Sequence, residues 1–251
     1  MLYLIGIGLN KKDFPIGAVD LCEKCDVYID RYTTFVDDER MSYITGLLEK
    51  KPVELGRAQM EEELPELLGE AKERDVALLI GGDPLVATTH KIIFIEAKKA
   101  GVRVEVRHAS SILSAIIGES GLDFYRFGAI CTVSRWTTNY TPTSFYETIK
   151  KNRSNNLHSI VLLDYDPVKN SSLETKEAIR IMEAAEAQYK SGIITDDSAV
   201  FIMHKIALDD QQKLLTTIRE AKRLTFPSGP TAMIIPANLS DIEKETIESM
   251  Y

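Results

Sequence analysis

The residues of this sequence best suited by type and spacing to do chemistry are Gly81-Gly82-Asp83-Pro84. They close the apolar run VALLI and lead through LVATTH to KIIFIEAKKAG. A glycine has no Cβ, so backbone built from it can approach a ligand closely. The aspartate offers a carboxylate at the same point, and the proline can open the next element. In an open α/β sheet, small ligands bind outside the carboxyl ends of the strands. Glycine, aspartate and proline are equally the residues of tight turns. Two readings therefore stand together here, a ligand cradle and a structural turn.

Other residues narrow the chemistry mainly by exclusion. Gly6-Ile7-Gly8-Leu9 begins a G-x-G-x-x-G, but Lys11 occupies the third glycine position, so the dinucleotide fingerprint is incomplete. G-x-x-x-x-G-K-[ST], G-x-S-x-G and H-E-x-x-H are all missing from the sequence, which removes P-loop NTPases and two common hydrolase classes. No two of His90, His108, His158 and His204 have the helix spacing of a metal site. A structural role is expected for each, with His90 and His108 near the strand-end crevice. Asp164 and Asp166 read as a solvated strand end rather than an acid–base pair. Asp196-Asp197 and Asp209-Asp210 read as exposed loop charges. Ser110-Ser111 precede an apolar helix, where they either cap it or leave N–H groups to hold a ligand's polar end. Cys22 and Cys25 form a C-x-x-C with no second pair to complete a zinc site, and Cys131 stands alone in GAICTV. All three are expected to be reduced, partly buried thiols, and no metal is expected.

The elements that must position these residues alternate strand and helix through the first half. LYLIGIGL, DVYID, VELG, VALLI and VRVEV read as strands. Residues 16–24, 38–50, 60–74 and 88–100 read as helices, the third with Leu64, Leu67, Leu68 and Ala71 at helical spacing. Such alternation implies βαβ units and a parallel sheet. The pattern changes near residues 109–120. HASSILSAIIGESG reads as a helix, YRFGAICTVS, SIVLLDY, AVFIMHKIAL and TAMIIPANL as strands, and residues 172–190 and LLTTIREAKRL as helices. Two domains follow: an N-terminal α/β domain with a largely parallel sheet over 1–112, and a C-terminal mixed α/β domain over 113–251.

Composition sets the class. The 251 residues are 44% hydrophobic and 27% charged, with a net charge of −8, the profile of a soluble globular protein. That charge argues against a nucleic-acid binder working through a basic surface. Lys150-Lys151 with Arg153 is the nearest basic patch, and it reads as a solvated helix end. No stretch approaches the ~20 apolar residues that span a bilayer. LYLIGIGL lacks the basic flank of a secretory signal. A cytoplasmic protein with no membrane contact is expected.

Taken in order, YLIGIGL, CDVYIDRYTTF, GGDPLVATTH, HASSI, YTPTSFYETIK and SIVLLDYDP resemble the diphthine synthases of the tetrapyrrole methylase-like superfamily, over nearly the whole chain. GDPLVATTH is the most specific match. The resemblance implies a two-domain tetrapyrrole methylase-like fold, usually a homodimer, with S-adenosylmethionine held in the cleft between the domains. It further implies trimethylation of the amino group on an aminocarboxypropyl-modified histidine of translation elongation factor 2, giving diphthine. By motif position the cofactor contacts are Leu9, Asp83, Val86, Ser111, Ile112, Leu163, Ile206 and Thr231. Family members often carry a small residue at the position of Ile206 and a histidine at that of Thr231. Asp83 would pair with the cofactor's ammonium or accept from ribose hydroxyls. Tyr32-Thr33-Thr34 and the Arg135–Tyr146 segment are the candidate substrate-facing loops. No general base is assigned. A tetrapyrrole-precursor methyltransferase and a non-catalytic cofactor-binding module are the alternatives.

Overall fold

In the computed structural model the described residues are 1–166 and 168–251; Pro167, which ends SIVLLDYDP, lies outside them. The chain divides into two compact units, Met1–Ser114 and Ala115–Tyr251.

The first unit runs β1 (Leu2–Gly6), α1 (Ile16–Glu23), β2 (Asp26–Asp30), α2 (Asp38–Leu48), β3 (Val53–Leu55), α3 (Arg57–Glu61), α4 (Leu64–Glu73), β4 (Val76–Ile80), α5 (Lys91–Ala100) and β5 (Val104–Arg107), with α6 (Ile112–Ser120) containing the division. The five strands form one parallel sheet in the order β3-β2-β4-β1-β5. The central strands β1 and β4 are buried at every position, as strands covered on both faces must be, and this explains their unbroken apolar sequence. Their side chains alternate between two cores. Tyr3, Ile5, Ala77 and Leu79 pack with Ala18, Cys22, Met41 and Ile44 on one face. Leu2, Leu4, Val76, Leu78 and Ile80 pack with Leu67, Leu68, Ile93 and Ala97 on the other. The helix expected over 60–74 is two helices, because Pro65 lacks an N–H and belongs in a first turn. The helix expected from residue 88 begins at Lys91, after a turn.

The second unit holds β6 (Cys131–Val133), α7 (Ser144–Ser154), β7 (Ser159–Leu163), a small hairpin of β8 (Tyr165–Asp166) and β9 (Ser171–Ser172), α8 (Thr175–Tyr189), β10 (Ala199–His204), β11 (Gln212–Thr217), α9 (Ile218–Ala221), β12 (Thr231–Ile235) and α10 (Asp241–Met250). Its sheet has the order β11-β10-β12-β7-β6. Only β6 and β7 are parallel; the other pairs are antiparallel.

Three expectations are corrected here. LLTTIREAKRL is not a helix: its first residues pair with β10 as β11, and only Ile218–Ala221 turn helical behind the Thr217 cap. Cross-strand pairing with β10 outweighs the helix propensity of its leucines, and the β-branched Thr216 and Thr217 favour the strand. YRFGAICTVS gives only a three-residue strand. The Asn152 side chain occupies both backbone groups of Ala129, accepting from its N–H at 3.0 Å and donating to its carbonyl at 2.7 Å. The helix expected over 172–190 starts at Thr175, since Ser171 and Ser172 belong to the small hairpin.

Candidate active site

Strands β1 and β4 are neighbours whose chains leave in opposite directions across the sheet, β1 toward β2 and β4 toward β5. α1 contributes to one core and α5 to the other, so the loops after β1 and β4 diverge and leave a crevice at the strand ends. Two glycines hold those loops together. Gly8 N–H donates to Gly82 O at 3.2 Å, and Gly82 N–H donates to Gly8 O at 2.7 Å. Both have a φ of +71°, the left-handed region that glycine adopts freely. A Cβ on Gly8 would lie 2.3 Å from Asp13 Cβ, whereas one on Gly82 would meet nothing nearer than Leu9 Cδ2 at 3.8 Å. The backbone at Gly82 is thus open to close approach, while Gly8 is packed solid.

The first loop is braced from two sides. Leu9 N–H donates to Asp13 Oδ2 and to Ser110 Oγ, both at 3.0 Å, and the Ser110 hydroxyl donates to Asp13 at 2.6 Å. Burial opposes the charge on Asp13, but the Ser110 hydroxyl and the N–H groups of Asn10 and Leu9 outweigh it and hold the carboxyl below its usual range. Beneath lies the buried Arg40, whose guanidinium donates to the carbonyls of Ile7 (2.6 Å), Gly8 and Leu9 (3.2 Å). Burial lowers its pKa to about 10, against the pull of Asp37 and Asp13. Sequence reasoning missed both Asp13 and Arg40, because polar residues in NKKDFP and DDER carry no local sign of the loop they support.

Asp83 is buried. Its Oδ2 accepts from His108 Nδ1 at 2.8 Å and from Ala109 N–H at 3.4 Å, and its Oδ1 accepts from Leu85 N–H at 3.0 Å. The carboxylate therefore forms the turn and ties it to the segment after β5, with part of its lone-pair capacity left over. Both readings of this aspartate survive. Of the paired serines, Ser110 serves the first loop, and Ser111 accepts from Leu113 N–H at 3.3 Å ahead of Ile112, where α6 begins. Val86 is half-buried and closes the turn by donating to Asp83 O at 3.4 Å.

The rest of the turn hangs on His90. Its Nε2 meets Asp30 Oδ2 at 2.9 Å and Thr33 Oγ1 at 3.2 Å, its Nδ1 bonds Thr88 Oγ1, and both His90 and Asp30 are fully buried. Asp30 Oδ1 also accepts from the N–H groups of Tyr32 (2.7 Å) and Thr33 (2.9 Å), and Thr34 Oγ1 accepts from Gly81 N–H at 3.1 Å. The segment expected to face substrate thus directs much of its hydrogen bonding inward, onto the turn. Asp30→Asn puts a donor where His90 and Thr33 need an acceptor. It is expected to cost about 1 to 3 kcal/mol in denaturant unfolding and to weaken ligand binding at the crevice several-fold, although Asp30 lies beneath it.

In the second unit, the strand pairings bring the ends of β6, β7 and β10 and the start of β12 to one edge of the sheet. Leu163 and Thr231 lie there and Ile206 follows the end of β10, with Leu163 and Ile206 buried. Thr231 Oγ1 bonds His204 Nδ1 at 2.8 Å, and the His204 ring lies 5.2 Å from that of Phe226. His204 is fully buried, and its Nε2 has no partner among the described residues. Burial, then Lys205, lowers its pKa, so the imidazole is neutral at pH 7. Thr231 also lines a cavity of 140 Å³ with Ser172, Thr175 and Phe226. Asp164 accepts from Arg135 N–H at 3.0 Å, and Asp166 caps the turn at Val168 and Lys169, so neither faces the other as an acid–base pair. Burial pushes the Cys22 and Cys131 thiols up to about 12 and raises that of Cys25, which leaves all three unreactive.

In the first unit the backbone at Gly82 is open to close approach by a ligand. In the second, Leu163 and Ile206 are buried apolar residues and His204 Nε2 is buried without a partner among the described residues. Comparison with known proteins gives the class. The model of the family described as Tetrapyrrole (Corrin/Porphyrin) Methylases matches residues 1–222, and the chain belongs to that family. It is a methyltransferase dependent on S-adenosylmethionine, with the tetrapyrrole methylase fold. Within the family its relatives are diphthine synthases. One from Methanothermobacter thermautotrophicus is 35% identical over 252 residues, spanning 98% of this chain and 93% of its own. A diphthine methyl ester synthase of Mus musculus is 29% identical over 272 residues, spanning 98% and 95%. A crystal structure of diphthine synthase matches with a TM-score of 0.85 at 29% identity, over 100% of this chain and 96% of that one.

Proposed function

We propose that this protein methylates the amino nitrogen of an aminocarboxypropyl-modified histidine on translation elongation factor 2 three times, producing diphthine. The observation that carries the reading is likeness to diphthine synthases along the whole chain rather than over one motif. The residues proposed to hold S-adenosylmethionine are Leu9, Asp83, Val86, Ser111, Ile112, Leu163, Ile206 and Thr231. When bound, the cofactor supplies a sulfonium methyl already activated for displacement.

The protein's own contribution is then position. Leu163 and Ile206, both buried and apolar, are proposed to meet the apolar parts of the cofactor. The Gly8–Gly82 bridge, the Arg40 brace and the Asp30–His90 pair hold the loops rigid, so that amine and methyl carbon meet in line. Orientation of this kind is worth ~7–11 kcal/mol of barrier. The amine must attack unprotonated, and no side chain is assigned to take its proton. Asp83 retains acceptor capacity for an ammonium or a ribose hydroxyl. The reading carries with it a homodimer working in the cytoplasm, where the elongation factor is found. No helix among the described residues is long and apolar enough to cross a membrane.

Likeness to a diphthine methyl ester synthase supports a second reading, in which a fourth methyl goes to the carboxylate. Mass spectrometry of the modified histidine after exhaustive reaction separates the two. Three methyls that survive mild alkali are expected. A fourth that alkali removes identifies the ester, and no methyl at all with the cofactor still bound indicates a binding module.

A further inference from the structure

The chain has twelve arginines, and eleven of them engage a carboxylate or a backbone carbonyl through the guanidinium. Arg135 is the exception among the described residues. Only its backbone N–H is bonded, to Asp164 Oδ2 at 3.0 Å. The residue is half-buried, and its guanidinium has no counter-ion among the described residues. Its five donors are therefore available to a planar anion, while the other eleven guanidinium groups are engaged within the protein.

Its setting is built rather than loose. Arg135 follows β6, whose last residue Val133 pairs with Leu163 at the end of β7. The next residue, Trp136, packs against the core of the unit and donates from Nε1 to Pro142 O at 3.1 Å. Thr137 and Tyr140 then exchange backbone hydrogen bonds of 2.9 and 3.2 Å. Asp164, the residue after β7, accepts from the Arg135 backbone N–H with Oδ2 and makes no ion pair with its side chain. The loop thus fixes Arg135 at the sheet edge that carries Leu163, Thr231 and His204, and leaves its fork of donors uncommitted.

We propose that Arg135 binds the carboxylate of an α-amino-acid group, through the paired N–H···O bonds that a planar guanidinium makes with a planar carboxylate. The inference rests on the proposed function, in which two reactants end in such a group: the methionyl arm of the methyl donor and the aminocarboxypropyl arm of the acceptor histidine. Lysine would keep the charge and lose the fork.

The test uses full-length Arg135→Gln and Arg135→Lys, with melting curves to show that both fold. Three quantities are measured: the KM for modified elongation factor 2, the Kd for S-adenosylhomocysteine, and the Kd for methylthioadenosine, which has no carboxylate. A rise of about 10- to 100-fold in the acceptor KM for Arg135→Gln, with homocysteine-ligand affinity unchanged, supports the contact with acceptor as its source. An equal loss of S-adenosylhomocysteine affinity, with methylthioadenosine bound as in wild type, supports the contact with donor. Arg135→Lys is expected to fall between wild type and Arg135→Gln in either case. No change in any quantity overturns the proposal, and so does equal weakening of both nucleoside ligands, which marks a structural role. A wild-type protein that binds S-adenosylhomocysteine but leaves the elongation factor unmethylated contradicts the proposed function instead, and Arg135 is then judged on the two nucleosides.

Discussion

Gly8→Val is expected to abolish methyl-donor binding and to destabilise the protein by about 3 to 5 kcal/mol. Two independent costs add at this position. A β-branched residue is forced to a φ of +71°, and its Cβ starts 2.3 Å from Asp13 Cβ and 2.8 Å from Ser110 Oγ. Relief requires the loop to move, which breaks the bridge to Gly82 and the bonds from Leu9 to Asp13 and Ser110. Gly82→Ala isolates the contribution of the backbone opening. It bears the same φ, but its new methyl has room, so about 1 to 2 kcal/mol of strain is expected. Its larger effect falls on the donor Kd, because the methyl stands where the backbone was open. Urea unfolding and calorimetric titration of S-adenosylhomocysteine measure the two effects separately.

Glu243→Ala is expected to cost a similar amount, about 3 to 5 kcal/mol, with no direct contact to the candidate site. Glu243 is buried at the start of α10, where it accepts from Asp123 N–H (3.1 Å), His158 Nε2 (2.9 Å), Ser240 N–H (2.8 Å) and the Arg126 guanidinium. Its removal leaves the buried His158 Nε2 without its acceptor and takes the carboxylate from the half-buried Arg126, which keeps only the carbonyls of Asn156 and Asn238. The same cluster sets an acid limb of stability. Burial resists the charge on Glu243, but the hydrogen bonds from Ser240, Asp123 and His158 win and pull its pKa from 4.5 to about 2. The folded value lies below the unfolded one, so the stabilisation is complete above pH 4.5 and is lost as pH falls toward 2. Integrated, that amounts to about 3 kcal/mol. His158 adds to the same slope. Burial lowers its pKa below 6.5 despite Glu243, and its Nδ1 accepts from Ala237 N–H at 2.9 Å, so folding requires the neutral ring. Protonation below pH 6.5 therefore favours the unfolded chain. Unfolding free energies of wild type and Glu243→Gln are expected to differ most near pH 7 and to converge only at about pH 2 and below.

Much of this architecture was legible locally. LYLIG and VALLI could be little other than central strands, because both faces of each are covered and every position must be apolar. The GGDP segment was legible as two alternatives; Asp83 builds the turn, with the backbone at Gly82 unobstructed, and the ligand reading stands as a proposal. What lay hidden depends on distance along the chain. Arg40 and Asp13 look like ordinary helix-start and loop residues until the fold brings them against Gly8 and Leu9. LLTT read as helix because its pairing partner, β10, is not visible in its own composition. The missed α10 is a different case. Ser240 and Glu243 make a capping box, a signal present in the sequence as S-x-x-E. The proposal of Leu163, Ile206 and Thr231 as site residues came from the resemblance alone, and the unpartnered nitrogen of His204, which bonds Thr231 through its other nitrogen, required the structure.

The central claim is that methyl groups go to a protein side chain. Its most direct test offers the enzyme and S-adenosylmethionine two acceptors in parallel, elongation factor 2 carrying aminocarboxypropyl-histidine and a tetrapyrrole precursor, with methyl gain on each followed by mass spectrometry. The account predicts three methyls on the modified histidine and none on the tetrapyrrole. Methylation of the tetrapyrrole with an untouched elongation factor would contradict it.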